Sequence, residues 1–118
     1  MAIVKVEPIK IEEWNTASGA IAFTAINASA GAYYEHNMKD ERCIVLIQNA
    51  NSAKQTLTIK QGNGLQGVVD EVIEVPASSI VAIVLESGRF KNISGDNKGR
   101  VVMTGTSADL KVAVIKMP

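Results

Sequence analysis

Gly62-Asn-Gly64-Leu-Gln-Gly67 fits the G-x-G-x-x-G spacing that lets backbone approach a pyrophosphate in dinucleotide-binding proteins. Glu86 lies about 20 residues further on, where such a protein carries its ribose-binding acid. The flanking residues point elsewhere. Eight residues separate Gly67 from Pro76, too few for a crossover helix. Val68, Val69, Val72, Ile73 and Val75 are β-branched, which favours strand over helix. The preceding segment, 56–61, is half polar, whereas a central parallel strand is apolar on both faces. The spacing therefore predicts a glycine-rich loop between antiparallel strands, and no cofactor is expected.

The other reactive residues are isolated. Asp96-Asn-Lys-Gly99 lacks the alternating acids and distant glutamate of a calcium loop and reads as a tight turn. His36 is the only histidine, so a multi-histidine metal site is impossible. With no positioned partner beside it in sequence, it reads as a surface or loop histidine. Cys43 is the only cysteine, which excludes an intrachain disulfide and a cysteine-based zinc site. Its apolar neighbours, Ile44 to Ile47, predict a buried, inert thiol. Strand alternation puts Asp70 and Glu74 on one solvent-facing side, without the aromatic-lined cleft of a glycosidase. No enzyme is expected.

The elements that would position these residues read as strands. Residues 42–48 are a continuous apolar run suited to a central strand. In 56–61, Leu57 and Ile59 alternate inward with threonines outward. Further strands are predicted over 68–75, 80–85, 100–104 and 110–117, separated by Gly, Pro, Asn and Ser clusters. Residues 15–32 fit neither period and read as a loop with a short strand or one helical turn. Short strands about 8–12 residues apart predict one all-β domain, an antiparallel β-sandwich of Ig-like or jelly-roll-like type. Residues 1–13, interrupted by Pro8, read as an extended N-terminal arm or edge strand ahead of a sandwich over 14–118.

Composition bounds the partners. Twelve basic residues balance twelve acidic ones, and no basic stripe is present, so nucleic acid is not an expected partner. A neutral chain does little to oppose homo-oligomer formation. No stretch approaches the roughly 20 apolar residues that span a bilayer, and 1–8 lack the apolar core of a signal peptide. No membrane partner is expected, and a cytosol-like compartment of synthesis is. The candidate partner-binding residues are then Ile3, Val4, Val6, Ile9 and Ile11 of the arm, which could augment a neighbour's sheet edge. Trp14, Tyr33 and Tyr34 join them, as core fillers or contact anchors. If the arm is the contact, removing 1–13 would weaken binding without unfolding the domain.

From about Ala25 onward the chain shows an ordered set of motifs, beginning with a strand that ends in asparagine, Cys43-Ile-Val-Leu-Ile-Gln-Asn49. A threonine-rich strand then enters the glycine stretch 62–67, followed by Val75-Pro-Ala-Ser78 and Leu85-Glu-Ser-Gly-Arg-Phe-Lys-Asn92, and two closing strands finish it. In this order of motifs the chain resembles virion-associated β-sandwich proteins of tailed bacteriophages, of the capsid decoration (head cement) type. The resemblance implies a non-enzymatic protein on the capsid surface of a virion, made in the host cytoplasm and bound to the major capsid (coat) protein. The alternative is a carbohydrate- or receptor-binding module of a phage tail or cell-surface assembly, with Trp14, Tyr33 and Tyr34 as a stacking platform.

Overall fold

Alternating burial shows why the chain is extended: in β5 (Cys43–Asn49) every second residue is buried, and in β6 (Gln55–Ile59) Leu57 and Ile59 are fully enclosed. The computed structural model describes residues 3–118. The remaining strands are β1 (Val4–Lys5), β2 (Ile9–Lys10), β3 (Thr24–Ala25), β4 (Ala32–Glu35), β7 (Glu71–Val75), β8 (Ser79–Ile83), β9 (Arg100–Gly105) and β10 (Leu110–Lys116). Among the described residues, helix is confined to a 3-10 turn, Asp40–Arg42, and a four-residue turn α1, Ser87–Phe90.

The antiparallel pairs are nested. β3 pairs with β10, β4 with β9, β5 with β8 and β6 with β7. This is one long hairpin rolled up, and lateral pairing of β10 with β5 and β6 with β9 completes two sheets. The order β3-β10-β5-β8 over β4-β9-β6-β7 is that of a jelly roll, the second of the two sandwich types expected. Ile47, Leu57, Ile59, Val101, Met103, Val112 and Val114 meet between the sheets without exposure. With so few aromatics in the chain, Tyr34 and Phe90 are the only ones in that core.

One expectation needs correction. The sandwich is not purely antiparallel, because β1 runs parallel to β4 and β2 parallel to β10. The same pairings make the N-terminal segment the edge strand of its two readings and not a free arm. β1 adds to the edge of one sheet, the chain crosses at Pro8, and β2 adds to the other. Val6, between them, is 1% exposed, and its N–H donates to the Tyr33 carbonyl at 2.8 Å. The apolar residues of the segment find their own sheets before any neighbour's, which leaves fewer unpaired edge groups.

β7 is shorter than the predicted 68–75. The Asp70 carboxylate accepts the Gln61 N–H (2.8 Å) and pairs with Lys60 (2.9 Å), so the ladder opens at Ile59 opposite Glu71. Val68 and Val69 stay in the loop, exposed. Residues 12–23 hold no strand, and β3 is the short strand expected within 15–32.

Candidate functional site: the outer face of the β10-β5-β8 sheet

A sheet has two faces, and in this one both are apolar. Val45 and Ile47 of β5, Val112 and Val114 of β10 and Val81 and Ile83 of β8 face the core. Their alternates therefore line the outer face. Register places Ala113, Leu46 and Ala82 in one row and Ile115 beside Ile44 in the next. Val84 continues β8 past Ile83, and Ile80 lies opposite Gln48, which in turn lies opposite Lys111. Ile80 and Val84 are 55% and 56% exposed, whereas Ala113 and Ile115 are buried although they lie outside the core cluster. A half-solvated antiparallel sheet alternates apolar with polar; this one puts polar side chains, Gln48 and Lys111, at one end only.

The buried Cys43, Tyr34 and His36 form one chain of hydrogen bonds that ends on the partly exposed Asp40. His36 lies in the connection after β4, the loop position of the two expected, but it is 2% exposed and not at the surface. Its Nε2 lies 3.0 Å from Asp40 Oδ1, and its Nδ1 lies 3.0 Å from the Tyr34 hydroxyl. A carboxylate only accepts, so Nε2 carries the proton and Nδ1 accepts from the phenol. Asp40 Oδ2 accepts the Ser87 N–H at 2.9 Å, which pins α1 to the β4–β5 connection. Burial opposes ionisation of Asp40, but hydrogen bonds from Ser87 and His36 outweigh it and hold the carboxyl below its ordinary range. Burial pushes the Tyr34 phenol above its ordinary range, and likewise the Cys43 thiol, 4.0 Å from the Tyr34 oxygen. Only the Asp40 carboxylate reaches solvent, with its side chain 40% exposed, and the effect of the chain is to fasten elements together.

The glycine-rich loop joins β6 to antiparallel β7. Its glycines serve close backbone packing. A side chain at Gly62 would strike the Lys91 carbonyl, and one at Gly67 would strike the Gly62 carbonyl. Asn63 completes the contact, donating to the Ser94 carbonyl (3.0 Å) and accepting the Ile93 N–H (2.7 Å). The Asp96 region is a turn closed by Gly99 N–H to the Asn92 carbonyl at 2.7 Å. Among the described residues no three or more His, Cys, Asp or Glu gather as a metal site.

The predicted contact residues scatter. Val6 and Tyr34 are in the core; Ile3, Val4, Ile9 and Ile11 are half-buried, with Val4 packed against the core. Tyr33 lies on the opposite side of β4 from Tyr34, and the Arg100 guanidinium covers its ring at 4.1 Å. Trp14 alone is free, 76% exposed in the segment after β2. The three aromatics do not converge, so the stacking platform of the carbohydrate alternative is not assembled. The outer sheet face was missed as a surface, although its signal is present: Ile44 to Ile47 and 80–85 are continuous, not alternating, apolar runs. Comparison with known proteins returns no matching family model, no matching curated protein and no matching solved structure.

Proposed function

We propose that this chain is a non-enzymatic virion structural protein that docks on the outside of an assembled coat lattice, as the resemblance to capsid decoration proteins implies. The carrying observation is the outer face of the β10-β5-β8 sheet, where Ile80 and Val84 stand exposed beside Leu46, Ala82 and Ile44. Contiguous exposed apolar surface on a small domain marks a contact surface. Jelly rolls occur in capsid and lectin domains alike, so the fold is compatible with the reading and does not select it.

Magnitudes favour a lattice over a single partner. Covering Ile80 and Val84 gains about 1.5–3 kcal/mol each when burial is complete. Association costs an estimated 4–15 kcal/mol in lost freedom, so one such face binds weakly alone. Contacts to two neighbouring coat subunits at once turn the second into an intramolecular event and raise the net affinity. Electron microscopy of particles with and without the protein tests the reading. Added density on the outer surface, with the β10-β5-β8 face toward the coat, is expected. Particles of identical density, or density with that face toward solvent, would contradict it.

A further inference from the structure

At the end of the sandwich where β4 leaves and β10 finishes, an open depression of about 620 Å³ is lined by Lys39, Arg42, Lys91 and Lys116, with Asn37 and Met38. The lining holds four cations and no acid. They arrive from three separate stretches of chain, brought together by backbone pairing: Met117 N–H donates to the Arg42 carbonyl at 2.7 Å, and Lys91 bridges to Val101 of β9. Elsewhere lysines find acids: Lys5 pairs with Glu7, Lys54 with Glu74 and Lys60 with Asp70. Among the described residues, none of the four lining cations has such a pair. The adjoining depressions hold acids, Glu12 beside Lys10 in one and Glu7 and Glu35 in the other, so the uncompensated cationic track is confined to Lys39, Arg42, Lys91 and Lys116.

On a chain of zero net charge this is a strong local asymmetry, and like charges this close repel at the distances over which salt screens poorly, within about 8–10 Å. A bound anion removes that repulsion. We infer that this track binds an acidic polypeptide segment, a run of Asp and Glu on a protein partner. Three features select a peptide. The charges are mostly lysine, point charges without the planar fork that matches phosphate. No aromatic residue lines the depression, so nothing is present on which bases could stack. Met38 and the aliphatic lysine stems offer apolar contact to a peptide between its carboxylates. The track does not overlap the outer sheet face, so the inference stands or falls independently of coat docking.

Fluorescence anisotropy with a labelled hexaglutamate peptide at low salt tests it. Saturable binding is expected, weakened about tenfold or more by the pair Lys39→Glu and Lys91→Glu, as expected for like-charge juxtaposition. The neutral pair Lys39→Gln and Lys91→Gln should weaken it less, and Lys111→Glu, at the far end of β10, should leave it unchanged. All the variants alter surface side chains, and retained thermal unfolding confirms that each is folded. Absence of binding, equal binding by the charge-reversed pair, or tighter binding of a single-stranded DNA of equal charge would overturn the proposal.

Discussion

Asn49 shows how much a single side chain can hold in this protein. It is 1% exposed at the end of β5, and its amide donates to the carbonyls of Ala53 (3.0 Å), Val75 (3.0 Å) and Pro76 (3.2 Å) while accepting the Asn51 N–H (2.9 Å). One residue thus ties the β5–β6 turn to the β7–β8 turn across both sheets. Asn49→Leu should cost about 2–4 kcal/mol in chemical denaturation, because buried carbonyls lose their donor. Asp40 gives a pH signature. Its carboxyl is depressed in the fold, so its ionised form stabilises the native state at neutral pH; that contribution fades as pH falls through the folded value, below the ordinary range near about 4. Asp40→Asn should lower stability above pH ~5 and converge on the wild type as pH falls through the folded value, which flattens the acid limb of a stability-against-pH curve. None of this was legible from His36 or Asp40 in sequence. The relay is assembled by the 3-10 turn and by α1, some 47 positions away from Asp40, and spacing does not encode such a contact. Cys43 was legible, because its apolar neighbours alone imply burial.

At the scale of elements, period-two patterning identified the main strands, but not which strands would pair. Every nested pair except β6 with β7 joins strands that are not neighbours in sequence, and alternation is silent about partners. The N-terminal segment illustrates the gap. Its alternation is equally compatible with a neighbour's edge and its own, and the structure puts it on its own. Deleting 1–11 should therefore destabilise the domain by several kcal/mol, a large share of the about 5–15 kcal/mol typical of such domains, rather than merely release a contact. Thermal unfolding of the truncated chain measures this; an unchanged midpoint would show that β1 and β2 are dispensable. The glycine loop makes a second prediction. Gly62→Ala should lower stability by about 1–3 kcal/mol by forcing the loop off the Lys91 carbonyl, whereas Gly95→Ala, with no atom near its Cβ, pays only for its positive φ.

For the whole molecule, the account comes down to one surface. The sandwich has one sheet whose outer side mixes threonines, Lys60 and Glu74 with Tyr33, Val102 and the exposed Val72, and another whose outer side carries an unbroken apolar set, Ile44, Leu46, Ile80, Ala82 and Val84. That difference was half visible in the unbroken apolar runs of 43–47 and 80–85, and became a surface only once both runs proved to be adjacent strands. Replacing exposed apolar side chains there should leave the fold intact, because Ile80 and Val84 contribute little to the core. The most direct measurement is co-sedimentation with undecorated capsids, comparing the wild-type protein with the pair Ile80→Lys and Val84→Lys. Saturable pelleting of the wild type and at least about a tenfold weaker association of the folded variant are predicted. No pelleting of the wild type with a competent coat, or equal pelleting of the two, would contradict the account.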